Sequence, residues 1–220
     1  HSTIVLKTTI GLLAAGTIAF FILEKDQSFA GLNFFQKLLA SLFQATTPRT
    51  AGFDTISQSG LSQGSQLLTI LLMFIGASPA STGGGIKTTT FYILLITAFR
   101  YRDSSDLVSY GKRRLQPRLI FKAAGVVVKA LLIVLAASVA LIIMEAGSDL
   151  SLADAVFEIV SAFGTVGLSK GITADLRDIS KVILILTMFT GRVGLFAFAL
   201  PKTRRDVDGY AELPNAEVLI

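Results

Sequence analysis

Two short runs carry the residue types for ion chemistry, Thr50-Ala51-Gly52-Phe53 and Thr165-Val166-Gly167-Leu168, set 115 residues apart. In such a run the useful atoms are main-chain carbonyl oxygens, and a row of them can replace the hydration shell of a weakly hydrated cation. For successive carbonyls to face one way, the strand needs backbone angles closed to residues with a Cβ, so glycine at 52 and 167 is a backbone requirement. A single Thr-x-Gly run closes many ordinary loops; two copies in one context are what carry this reading. Side-chain chemistry is scarce. The chain has no cysteine and one histidine, at position 1, which excludes disulfides, thiolate metal sites, zinc clusters and His-based triads. It is therefore read as a non-enzyme with no covalently bound cofactor.

A second constellation lies in the apolar segment 65–100, which is interrupted by Gly76-Ala77-Ser78-Pro79-Ala80-Ser81-Thr82-Gly83-Gly84-Gly85. A proline and three consecutive glycines, each glycine costing about 1 kcal/mol in a helix interior, cannot sustain an α-helix. Small polar residues in an apolar span must line a cavity. A nucleotide P-loop is excluded, because Ile86 separates Gly85 from Lys87 and no strand precedes the run. Arg192 occupies the repeat position of Ala77, roughly 18 Å along a helix that starts near Ser180 at ~1.5 Å per residue. An arginine within a span costs several kcal/mol unless it meets water or a partner. The break is either a kinked helix without function or a gate; in the second case Gly76, Ser78, Ser81, Thr82, Gly83, Gly84, Gly85 and Arg192 are expected to form it, with Arg192 projecting into the path, repelling cations and restraining the loop. The alternative for Arg192 is snorkelling to the inner surface. Lys87 and Lys202 are expected to snorkel there.

The elements that must position these residues are written in the hydropathy. Of 220 residues, 52% are hydrophobic and 16% charged, a composition that argues for lipid as solvent. The runs Ile4–Leu23, Leu119–Met144 and Val182–Leu200 each approach the ~20 residues that cross a bilayer. Sliding the sequence by 115 residues lays Ser65, Ile70, Leu71, Met73, Phe74 and Gly76 on Ser180, Ile185, Leu186, Met188, Phe189 and Gly191. Internal repetition of this kind marks symmetry around a shared path.

Each repeat then has three parts. Residues 1–100 hold a spanning helix at 4–23, a short pore helix at 32–45, the filter run at 46–53 and the broken helix at 65–100. Residues 119–202 hold a helix at 119–144, a pore helix at 152–162, the filter run at 163–168 and a helix at 180–200. Pore helices this short cannot cross and return, so they dip in and aim their negative C-terminal ends at the filter, favouring a cation. Net charge is +5, concentrated in the loop 101–118 and its flanks and after the last span at Lys202, Arg204 and Arg205; the positive-inside rule makes that loop and the tail 203–220 cytoplasmic. The basic residues flank spans and lack interleaved aromatics, which argues against nucleic acid as a partner. His1 reads as a cut into a longer protein.

Thr46-Thr47-Pro48-Arg49-Thr50-Ala51-Gly52-Phe53, Ser78-Pro79-Ala80-Ser81-Thr82-Gly83-Gly84-Gly85-Ile86-Lys87-Thr88 and Gly191-Arg192-Val193-Gly194 resemble the third and fourth repeats of the Trk/Ktr/HKT potassium transporter superfamily, most of all its bacterial KtrB-type subunit. The likeness covers nearly the whole chain. It implies an all-α membrane protein with two tandem helix–pore loop–helix repeats, half of a pseudo-four-fold pore, whose other two repeats lie upstream. It implies potassium at the filter residues, with sodium as a coupling or activating ion, uptake across the bacterial plasma membrane by a multi-pass protein, and an intramembrane gate loop. It also implies a homodimer seated on a cytoplasmic nucleotide-binding RCK subunit. Two rivals stay open from the residues themselves: a rocking carrier that binds another small solute at the broken helix, and a non-conducting scaffold.

Overall fold

A computed structural model describes residues 2–79, 81–100, 109–110 and 113–193. Among them the regular structure is helical apart from one ribbon of two two-residue strands. Helix α1 runs Ser2–Glu24, α2 Phe34–Thr46, α3 Gln63–Phe74, α4 Thr88–Arg100, α5 Pro117–Met144, α6 Leu152–Gly164 and α7 Asp178–Val193. Strands β1 (Ser109–Tyr110) and β2 (Arg113–Arg114) pair antiparallel in the basic loop. The expected helix 180–200 is described only to Val193, and the expected tail 203–220 with Lys202 lies outside the described residues.

Local chemistry sets the helix starts. Asn33 caps α2 through a capping box, its side chain accepting from Gln36 N at 2.9 Å while the Gln36 side chain accepts from Asn33 N at 3.0 Å. Ser62 and Ser151 cap α3 and α6 in the same sense, on Ser65 N and Asp154 N. Pro117 opens α5, where its missing N–H costs nothing. At 1.5 Å per residue, α1 and α5 are roughly 35 and 42 Å long and α6 roughly 20 Å, so the first two are long enough to cross a ~30 Å core and α6 is not. Among the described residues, only α1 and α5 are apolar and long enough to cross alone.

The second long helix of the first repeat is two helices. α3 stops at Phe74 and α4 starts at Thr88, so the break spans 75–87, wider than the ten residues whose composition announced it. The added residues are Ile75, Ile86 and Lys87, which fold back with the loop: Ile86 N donates to Phe74 O at 3.1 Å and Thr88 N to Ala77 O at 3.4 Å.

A matched staple closes each repeat at the end where the pore helices begin. Glu24, the last residue of α1, accepts from Ser62 N at 2.9 Å and Ser62 Oγ at 2.6 Å. Glu145, just past α5, accepts from Arg177 N at 2.8 Å. Ser62 and Arg177 are again 115 residues apart. In both repeats a carboxylate at the end of the first helix satisfies an orphan donor at the start of the next long helix.

The core is centred on α6. Residues Phe157–Gly164 are buried without exception, enclosed by α3, α5 and α7. Close approach is what lets α7 in: a Cβ on Gly191 would stand 1.9 Å from Phe163 O. Small residues at such contacts let helix backbones approach where lipid offers no hydrophobic drive. The first pore helix differs. α2 packs on α1 around Phe20 and Ala45, with Leu72 of α3, but leaves Phe34, Phe35, Leu39 and Leu42 exposed. Among the described residues, no helix face covers it as α3 covers α6. We expect Gly191→Ala to destabilise the protein by about 1–3 kcal/mol through overpacking. Gly125→Ala, with nothing within 4 Å of the new Cβ, should be neutral or gain up to about 1 kcal/mol of helix propensity. Thermal unfolding in detergent separates the two.

Candidate filter and gate

The first filter run leaves α2 through a turn. Thr47 keeps right-handed helical angles, and its carbonyl accepts from both Ala51 N (3.2 Å) and Gly52 N (3.3 Å). The second leaves α6 directly: Thr165 caps the helix in the left-handed region, Thr165 N donates to Ala162 O (3.0 Å) and Val166 N to Ser161 O (2.9 Å). The 115-residue register of the filters therefore does not extend to the pore helices. The first repeat carries three extra residues, Thr47-Pro48-Arg49, between helix and Thr-x-Gly.

Past that difference the two runs share one backbone. Thr50 has φ +69° and Gly52 +74°; Thr165 has +52° and Gly167 +91°. Left-handed angles at the first and third residue of each triplet break the usual strand pattern, in which successive residues turn to opposite sides. Threonine bears a cost of roughly 1–2 kcal/mol in this region, so these two residues hold strain as well as position. The sequence reading singled out only the glycines as conformationally special; the left-handed threonines have no compositional signal.

The runs touch. A Cβ on Gly52 would lie 2.2 Å from Val166 O and 3.6 Å from Gly167 Cα. Val166 and Leu168 are buried, whereas Ala51, Phe53 and Gly167 are exposed. Each run is also tied to its own pore helix one residue beyond the glycine. Thr47 Oγ1 donates to Phe53 O, and Ser161 Oγ donates to Leu168 O at 2.6 Å. Phe53 and Leu168, grouped with the filter by sequence, thus have carbonyls already engaged by a hydroxyl. Thr47 and Ser161 were missed; a hydroxyl at the end of each short helix was their only signal.

The 75–87 loop sits against both threonines. A Cβ on Gly83 would be 2.8 Å from Thr50 Cγ2 and 2.9 Å from Thr50 Oγ1, and one on Gly84 2.7 Å from Phe163 O and 2.9 Å from Thr165 Cγ2. Gly84 N donates to Thr165 Oγ1 at 2.7 Å. Gly76 backs onto Gly84 O, and Ser78 O accepts from Ser81 Oγ at 2.6 Å to turn the tip. Gly85, at φ +71°, turns the chain back towards α4. Two cations hold the crown: Arg192 Nη1 donates to Thr82 O, and Lys87 Nζ donates to Gly83 O at 2.6 Å. Lys87, expected to snorkel, is half-buried and folds four residues back along its own loop to reach Gly83 O. Every residue of the expected gate is brought to this loop.

Beside the second filter run lies a cavity of about 600 Å³, bounded by Ser161, Thr165–Ser169 and the α7 side chains Leu184, Met188 and Arg192. No group of three or more His, Asp or Glu side chains poised to hold a metal occurs among the described residues. The cavity wall offers main-chain and hydroxyl oxygens, with the Glu158 carboxylate and the Arg192 guanidinium also on its border.

Short helices that end on strained, mutually touching runs, each following a helix long enough to cross a bilayer, define a helical membrane protein of the pore-loop class. The chain belongs to the TrkH family of cation transport proteins, which it matches over residues 1–205. It is 41% identical to the Ktr system potassium uptake protein D of Bacillus subtilis over 95% of this chain and 46% of that protein. It is 40% identical to the Ktr system potassium uptake protein B of the same organism, over 99% of this chain and 48% of the relative. The crystal structure of the potassium transporter TrkH from Vibrio parahaemolyticus shares the fold, with a TM-score of 0.73 at 20% identity over 90% of this chain and 44% of that one. The chain spans about half the length of the relatives it matches. These relatives are transport proteins, and the family places the chain in a membrane.

The pairing of the runs sets apart two substitutions that sequence treats alike. Gly52→Ala forces a Cβ into Val166 O, whereas the nearest atom to a Cβ on Gly167 is Gly52 Cα at 3.9 Å. Both incur the left-handed penalty of roughly 1–2 kcal/mol. We expect Gly52→Ala to lower the melting temperature of the full-length protein in detergent distinctly more than Gly167→Ala.

Proposed function

We propose that this chain is half of a potassium-conducting pore that serves potassium uptake across the bacterial plasma membrane. The observation that carries the reading is the paired filter: two Thr-x-Gly runs in one backbone conformation, each at the C-terminal end of a short helix, in contact with each other. Carbonyl oxygens of Thr50, Ala51 and Gly52, and of Thr165, Val166 and Gly167, are the ligands that replace water around potassium. Phe53 and Leu168 form the outer rim, where the Thr47 and Ser161 hydroxyls fix the exit of each strand. The negative ends of α2 and α6 favour a cation at the filter.

The 75–87 loop is the gate. It closes the path beneath the filter, pinned by Arg192 on Thr82 O, Lys87 on Gly83 O and Thr165 on Gly84 N. Both cations also present positive charge to an approaching potassium ion. A hydrogen bond from a charged group contributes about 1.5–3 kcal/mol, so losing one shifts the closed-to-open ratio by roughly tenfold or more.

The intact protein is multi-pass and supplies the remaining repeats from upstream. It pairs as a homodimer and takes its control from a cytoplasmic nucleotide-binding RCK subunit, with sodium as coupling or activating ion. Two relatives carry the name of a Ktr system potassium uptake protein, and one from Enterococcus hirae is named a potassium/sodium uptake protein. The test is rubidium uptake by the full-length protein in cells lacking other potassium uptake. Arg192→Ala and Lys87→Met should each raise uptake severalfold at equal membrane abundance, while Gly167→Ser should lower potassium preference over sodium. Unchanged uptake in both cation variants removes the gate, and an unchanged ion preference in Gly167→Ser removes the filter.

A further inference from the structure

A charged side chain in the middle of α6 has so far no role. Glu158 is 4% exposed, within a helix whose other buried side chains are apolar or hydroxyl-bearing. A carboxylate withdrawn from water is costly unless fully hydrogen-bonded. It is: Oε1 accepts from Ser169 Oγ at 2.7 Å and Lys170 N at 2.9 Å, and Oε2 accepts from Thr173 Oγ1 at 2.8 Å. All three donors belong to the segment that leaves the second filter run. The carboxylate borders the same cavity as Thr165–Leu168.

The second filter run is thus strung between two anchors on one helix. At its start Thr165 N and Val166 N bond the last turn of α6. At its end Ser161 holds Leu168 O, and Glu158 holds the following residues by three further bonds. The Lys170 side chain extends the tie to Asp154 on α6 and to Gln66 Oε1 on α3 at 3.0 Å, which joins the two repeats. The first repeat uses a neutral version. Buried Gln44 of α2 donates to Gln58 Oε1 at 2.9 Å, and Gln58 Nε2 reaches Ile56 O at 3.2 Å, again on the segment beyond the filter.

We propose that Glu158 is a positioning residue for ion selection: its three hydrogen bonds set the spacing of the Thr165–Gly167 carbonyls by fixing the outer end of their strand. The proposal rests on the filter reading above. Discrimination between potassium and sodium depends on ligand number and geometry in a short backbone segment, and a strand whose outer end keeps only the Ser161 bond relaxes towards geometries that fit either ion. Hydrogen bonding, more than charge, is the operative property. A glutamine at 158 keeps an acceptor for Lys170 N and Ser169, and the Thr173 hydroxyl can rotate to accept from its amide.

The experiment is rubidium uptake by the full-length protein in liposomes, with sodium as competitor, normalised to reconstituted protein. Glu158→Leu should lower potassium-over-sodium discrimination by roughly tenfold, the effect of about one charge-assisted hydrogen bond expressed at the filter. Glu158→Gln should keep it close to the unaltered protein. Because Glu158→Leu risks misfolding, the double variant Ser169→Ala/Thr173→Val removes two donors without burying a new apolar side chain in α6, and should give an intermediate loss. Preserved discrimination in the double variant, or in a folded Glu158→Leu protein, overturns the proposal. Equal losses in Glu158→Gln and Glu158→Leu also overturn it, since charge and not position would then be responsible. Gly167→Ser serves as the reference: if it too leaves discrimination unchanged, the filter assignment itself has failed rather than the role of Glu158.

Discussion

Inside a bilayer no water is available to satisfy backbone N–H and C=O groups, so non-helical chain survives only where protein or a water-filled path supplies partners. Most features of this chain follow from that constraint. The filter runs are non-helical and rest on the ends of α2 and α6, which supply acceptors for their first amides and hydroxyls for their last carbonyls. The 75–87 loop is non-helical and is met by a lysine, an arginine and a threonine. Neither segment could be placed against lipid.

The same constraint explains why two related repeats diverge. In the second repeat α7 runs unbroken to Val193, and Gly191 allows it to lie directly on Phe163 beside the second run. In the first, α3 ends at Phe74 and the freed backbone folds under the filter, where Thr50 and Thr165 already offer polar atoms. Arg192 stands one residue beyond Gly191 and meets the crown of that loop. What one repeat gives up in helical hydrogen bonds, the other supplies from a side chain. A symmetric pair of broken helices would leave two loops competing for the same threonines.

Periodicity and composition made much of this legible. Apolar length marked α1 and α5, a constant offset paired the filters, and Pro79 with Gly83–Gly85 announced a break. Three kinds of feature stayed hidden. The left-handed angles at Thr50 and Thr165 are imposed by tertiary packing, and threonine on its own gives no sign of them. The extra Thr47-Pro48-Arg49 turn was masked by an offset that fits the filters and long helices but not the pore helices between. The partners of Lys87 and Glu158 depended on folding back over short distances, which hydropathy treats as interface snorkelling or as an ordinary helical residue. Arg192 and Lys87 stood out in the sequence as charges in apolar surroundings, Glu158 did not, and the partners of all three had to be seen.

The central claim is that potassium is bound by the paired backbone of residues 50–52 and 165–167. Anomalous diffraction from crystals of the full-length protein grown in rubidium or thallium salts tests it without reference to transport rates. The account predicts ordered peaks between these runs, above the 82–84 crown, that weaken when sodium replaces the heavier ion. A filter without peaks, or peaks lodged instead in the broken-helix loop, would contradict it.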